Sequence, residues 1–232
     1  MKKFVIALCL ALLIAPVSQA GRACEGDGEA WQLELIGFSK NGAYVAFEQI
    51  SCNDGEGLRY SETSFVSVKN NRLEAEITTH IDFESMSLAS AKLRTLEVPT
   101  LMKKYGIIPG NQGRFIGITP PHRDTTISEF FALDRSYGLS IALKPAVYTR
   151  DDRCTKAPQL LIVKLSVGGR TRDLQRDTRL PDSRACAYGY EMRSAHLYGR
   201  SLAVFVSYQT LPASWGSGQG ADIRWMVVTG LL

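Results

Sequence analysis

The residues from Trp31 to Phe47 restrict the fold more than any other part of the chain. Trp31-Gln32-Leu33-Glu34-Leu35 alternates apolar and polar side chains, the period of a strand with one buried face. Asn41-Gly42 supplies the pair that tolerates positive φ in a tight hairpin, and Ala43 to Phe47 returns as a second strand. A third strand is expected over Thr63 to Val68, and Asn70-Asn71 turns the chain into a fourth, Leu73 to Ile77. The same grammar resumes over Arg114 to Ile118, Glu129 to Leu133, Leu139 to Leu143, Gln159 to Val167, Ala187 to Met192, Leu202 to Tyr208 and Ile223 to Thr229, with Gly168-Gly169 among the turns. Short strands at this spacing predict a mainly β fold of antiparallel meanders, forming a sandwich-like or partly closed sheet structure. A propeller-like arrangement is the alternative.

One stretch departs from this pattern. Between Ser85 and Tyr105, Ala89, Leu93 and Leu96 recur at helical spacing, and Leu101, Met102 and Tyr105 continue the apolar stripe. Pro99 removes a backbone donor and clashes with the preceding turn, so one broken helix is expected over about residues 85–105. Pro99 stands near the start of its second piece, Gly106 ends it, and the helix covers one face or end of the sheets. The two ends of the chain also echo each other. Gly42 to Phe47 and Gly199 to Phe205 each open a strand, Gly-rich loop, strand sequence.

Lys2 and Lys3 precede an unbroken apolar run from Phe4 to Ala15, and Ser18-Gln19-Ala20 ends just before Gly21, the layout of a cleavable secretory signal. The run is too short for the roughly 20 apolar residues that cross a bilayer. Residues 1–20 are therefore expected to be a signal peptide and residues 21–232 a single β-rich domain, periplasmic or secreted, with no membrane span after cleavage. Of the formal charge of +4, two units belong to Lys2 and Lys3, which leaves a nearly balanced mature chain. Arg170, Arg172, Arg176, Arg179 and Arg184 cluster, but Asp173, Asp177 and Asp182 are interleaved with them and no nucleic-acid stripe results, so the stretch reads as a solvated strand-and-loop face, with an anionic ligand site as the alternative.

Four cysteines remain in the mature chain, Cys24, Cys52, Cys154 and Cys186, in a compartment that permits oxidation. They allow three pairings, of which 24–52 with 154–186 closes the shortest loops. No C-x-x-C is present, which argues against a redox pair or a zinc knuckle.

Catalytic constellations are sparse. Gly199-Arg200-Ser201 lacks the final glycine of a nucleophile elbow and runs into a strand, so Ser201 reads as a strand opener. His80-Ile81-Asp82 and His122-Arg123-Asp124 each offer an imidazole and a carboxylate on one strand face, without a third metal ligand; His196 is the remaining histidine. Asn53, Asp54 and Glu56 lie in a Gly-rich loop but miss the spacing of a helix-loop-helix calcium site. Phosphate-cradling and zinc-protease motifs are missing, and no cofactor is expected. Tyr208 and Trp215, in or beside the glycine-rich stretch up to Gly220, form a candidate binding loop.

Gly37 to Glu48, Asn53 to Gly57 with Tyr60, Lys104 to Ile107, Leu180 to Cys186 and Val227 to Gly230 together resemble the bacterial predicted secreted protein family known as domain of unknown function 2259. The resemblance implies export and brings no assigned activity, cofactor or catalytic residue. Phe38 to Phe47 also resembles the blade motif of propellers related to the translocation protein TolB. The functional expectation is a non-catalytic binding or interaction module of the cell envelope, with an envelope protein or glycan as partner. The alternative is an envelope hydrolase whose site is assembled from distant loops.

Overall fold

The structure, a computed structural model of the chain, describes residues 32–52, 59–81, 96–119, 130–148, 154, 156–184, 186–210 and 222–232. Within them the chain is built of antiparallel strands in three sheets. The first sheet is the meander β1 (Gln32–Phe38), β2 (Tyr44–Cys52), β3 (Arg59–Ser67) and β4 (Arg72–Ile81). The next to form in sequence is a five-stranded sheet of β6 (Ile118–Thr119), β7 (Phe130–Asp134), β8 (Leu139–Val147), β9 (Gln159–Val167) and β10 (Arg170–Arg176). A third sheet joins β11 (Tyr188–Tyr198), β12 (Ser201–Thr210) and β13 (Asp222–Leu231) to β5 (Arg114–Ile116), a strand from the middle of the chain.

The β5-containing sheet is the central layer, and β12 explains why. Its first eight residues, Ser201 to Tyr208, are all buried, because both of its faces are covered. Ala203 and Phe205 pack with Phe38, Val45, Phe47 and Val66 of the first sheet. Leu202, Val204 and Val206 pack with Ile141, Leu161 and Val163 of the five-stranded sheet. Each such side chain contributes about 1.5–3 kcal/mol through the apolar surface it removes from water. This is the sandwich-like arrangement expected, carried to three layers, and the described strands do not extend it into a ring of propeller blades.

A helix, α1 (Val98–Tyr105), covers the outer face of the first sheet, with Val98, Leu101, Met102 and Tyr105 against Ala46, Phe65 and Ile107. Pro99 lies in its first turn, where a missing N–H is harmless, and Gly106 ends it at φ +64°. The first piece of the expected broken helix, from Ser85 to residue 95, lies outside the described residues.

Several local expectations change. Asn41-Gly42 does not form a two-residue turn with two positive φ values, since only Gly42 is left-handed, at +70°. Ser39 and Asn41 build a longer turn instead: the Gly42 N–H donates to the Ser39 carbonyl, and Asn41 Oδ1 accepts from the Ser39 hydroxyl and the Ala43 N–H. Arg114 to Ile118 is not one strand, because Gly117 breaks it and sends β5 and β6 into different sheets. β8 runs through Pro145 to Val147, beyond the expected Leu143, and pairs along that length with β9. β11 also continues past Met192 to Tyr198.

The open edge of β1 is closed by the segment that leaves α1. Phe38 N–H donates to the Asn111 carbonyl, Ile108 and Gly110 N–H donate to the Phe38 and Ile36 carbonyls, and the Gln112 side chain donates to the Leu35 carbonyl at 3.0 Å. A Cβ at Gly37, which holds φ +152° in a β-bulge, would lie 2.3 Å from the Ile108 carbonyl oxygen, so the close approach of the two segments requires glycine there.

Candidate functional site

Charge and disulfide meet on the far side of the molecule, around the turn after β10. Asp177 and Arg184 form an ion pair with side chains 3% and 8% exposed, joined by two hydrogen bonds of 2.9 and 3.0 Å. Arg184 also donates to the Tyr190 hydroxyl at 2.8 Å, and Asp177 accepts from the Leu161 N–H at 3.0 Å and from the Gln175 amide. Burial opposes the Arg184 charge, but its hydrogen bond to Asp177 and the fields of Tyr190 and Asp177 outweigh that and hold it above its ordinary value. Burial pushes the Tyr190 hydroxyl up to about 12, against the opposing charge of Arg184, so it stays protonated at any physiological pH.

The chain of bonds continues across all three layers. Gln175 Oε1 accepts from Asn71 at 2.8 Å, and Asn71 Oδ1 accepts from the Thr229 N–H at 2.7 Å. Asn71 sits at φ +48° in the β3–β4 turn, a conformation asparagine tolerates, and from there its side chain reaches β13. Thr229 in turn donates to the Ser67 and Val68 carbonyls. The Asp177–Arg184 pair is thus the inner end of a polar seam that fixes how the sheets lie on one another.

The exposed aromatic surface lies elsewhere, at β5, the outermost strand of the central sheet. Phe115 is 57% exposed and meets the His196 ring edge-on at 5.7 Å. On the opposite strand face Arg114 pairs with Asp134 and lies 4.7 Å over the ring of Tyr137, itself 53% exposed. Aromatic rings and arginine are among the side chains enriched at protein interfaces.

His196 packs as a ring among aromatic neighbours. Its ring lies between Phe115 and Phe205, and Nδ1 is 3.1 Å from the Gln112 carbonyl. Burial lowers its pKa below 6.5, with the Gln112 bond opposing. The native state therefore resists a proton that the unfolded chain accepts, so this stability is complete above about pH 6.5 and is lost as the pH falls below it and through the lowered native value. The urea midpoint should drop between about pH 8 and about pH 5, and the drop should shrink in His196→Gln. An unchanged drop in that variant would assign the effect to other groups.

The residues singled out in the sequence are placed as follows. Cys154 and Cys186 are bonded, with Cα atoms 5.3 Å apart. Cys52 closes β2, while Cys24 lies outside the described residues. Tyr208 is on β12 rather than on a loop; its ring is 6% exposed and lies 5.6 Å from that of Tyr190, in the core between the central and five-stranded sheets. Trp215 lies outside the described residues, as do Asp82, His122, Asp124 and the acidic loop of Asn53, Asp54 and Glu56. His80 is on β4, and Ser201 opens β12 as a buried residue against the Gly42 turn. Asp177, one of the aspartates interleaved with the arginines, is engaged by Arg184.

Of the expected arginine face, Arg170, Arg172 and Arg176 do lie on the exposed edge strand β10, where Arg176 pairs with Asp173 at 2.6 Å. Arg184 is the exception, since it turns inward. Its burial carries no sequence signal beyond the alternation with aspartate. The exposure of Phe115 is equally hidden, because Arg114-Phe115-Ile116 reads as an ordinary strand.

The model of the family described as "Predicted secreted protein (DUF2259)" matches residues 46–230, most of the chain. The chain belongs to this family. The match begins within β2 and ends in β13, so the predicted secreted protein family takes in every layer described above, the polar seam and the β5 edge included. Membership agrees with the expectation of an exported chain, and the bond between Cys154 and Cys186 fits an oxidising compartment. No helix among the described residues is long and apolar enough to cross a membrane. None of the curated proteins matches the chain.

Proposed function

We propose that this chain, a single β-rich domain over residues 21–232 once the leader is removed, is a non-catalytic binding module of the cell envelope. Its partner is an envelope protein or glycan. The observation that supports the reading is the β5 edge, where Phe115 is more than half exposed on one strand face and Arg114 lies over the more than half exposed Tyr137 ring on the other. A large aromatic ring left in water on a short edge strand gains by being covered, and truncating an anchor that serves as a hot spot removes about 2 kcal/mol or more of binding, roughly a thirtyfold loss. A cleaved leader and a second bond, Cys24 to Cys52, belong to the same proposal.

Capture from envelope extracts tests it. Immobilised wild-type chain should retain a partner that Phe115→Asp loses by about tenfold or more, whereas Val147→Asp, at an equally exposed residue on β8, should retain it. Equal capture by both variants would remove β5 as the binding edge.

A further inference from the structure

The bond between Cys154 and Cys186 ties the chain ahead of β9 to the turn after β10. Both cysteines are half-buried, so the bond lies near the surface. Cys186 holds φ +59°, a left-handed conformation that a residue with a Cβ adopts only under constraint. Two residues before it stands Arg184, 7% exposed and bonded to Asp177 and Tyr190. The Arg184 N–H donates to the Pro181 carbonyl, and the Ala187 N–H returns to the Arg184 carbonyl. One short turn therefore carries a sulfur at the surface and a guanidinium in the interior. In a buried ion pair, desolvation nearly offsets attraction, so such a pair persists only while the backbone holds its geometry.

We propose that the Cys154–Cys186 bond is a redox latch that keeps Arg184 inside, and that a dithiol reductant of the envelope opens it. A thiolate of the reductant attacks one sulfur, the protein S–S bond breaks as a mixed disulfide forms, and the departing cysteine takes up a proton. The second thiol of the reductant then attacks the mixed disulfide and frees the other cysteine as a thiol. The reductant leaves as its internal disulfide, and two electrons have passed to the protein. Cys186 relaxes from the left-handed region, the turn loosens, and Arg184 exchanges Asp177 for water. Near-surface, conformationally constrained disulfides are the ones open to such exchange.

Trypsin reads the state of Arg184 directly, since it cleaves after an arginine only when the side chain and its backbone can leave the fold. In the oxidised full chain the Arg184–Ala185 bond should resist cleavage. After treatment with dithiothreitol and alkylation, mass spectrometry should show it cut at least about tenfold faster, with the far-UV circular dichroism retained and cleavage at Arg200 unchanged. The double variant Cys154→Ser/Cys186→Ser, tested without reductant, separates this bond from any other and should behave like the reduced chain. Continued resistance at Arg184 in both preparations would overturn the latch. So would loss of the dichroism with all sites opening together, because the bond would then be a global staple.

Discussion

Replacing Asp177 with alanine is expected to lower the unfolding free energy by about 3–5 kcal/mol, measured by urea denaturation at neutral pH. The variant leaves the Arg184 guanidinium in the interior with only the Tyr190 hydroxyl as a partner, and it strips the Leu161 N–H and the Gln175 amide of their acceptor. An uncompensated buried charge is far more damaging than a missing pair, so the double variant Asp177→Leu/Arg184→Met should recover most of the loss. A single-variant effect below about 1 kcal/mol would mean that Arg184 reaches water readily in the native fold.

Phe205→Ala should have a comparable effect, about 3–5 kcal/mol. The side chain is fully buried on the first-sheet side of β12 and meets the rings of Phe47 at 5.6 Å and His196 at 5.9 Å. A cavity there opens between two sheets that are each hydrogen-bonded internally, so neither can collapse into it without bending. A double-mutant cycle with Phe47→Leu and Phe205→Leu should return a coupling of about 0.5–1.5 kcal/mol from the edge-on ring pair. Additivity in that cycle would show that the two sheets are not in firm contact at these rings.

How far the sequence could be read followed the range of the interactions involved. Alternation and turn residues are local, so the β1–β2 hairpin, β9 in full, and a helix with Pro99 near its start and Gly106 at its end were legible, whereas loop length favoured the Cys154–Cys186 bond without choosing among the three pairings. The unbroken apolar run Leu202 to Val206 shows that both faces of a strand are covered, but not by which sheets. Sheet membership is nonlocal, so nothing near Gly117 announces that β5 and β6 part company. The site was harder still. Tyr208 and Trp215 looked alike as aromatic neighbours of a glycine-rich stretch, yet Tyr208 points into the core, because its position on β12 sets its face and the loop composition does not. The inward turn of Arg184 depends on Tyr190 and Leu161, residues of two other strands.

The layering also bears on when the molecule can become itself. The first four strands find their hydrogen-bonding neighbours almost at once, but the surface they must hide waits for the last strands to be made, and Asn71 meets Thr229 only across a separation of 158 residues. A growing polypeptide of this design stays open until nearly all of it exists. That is the condition a chain needs if it is to be threaded through a membrane before it settles.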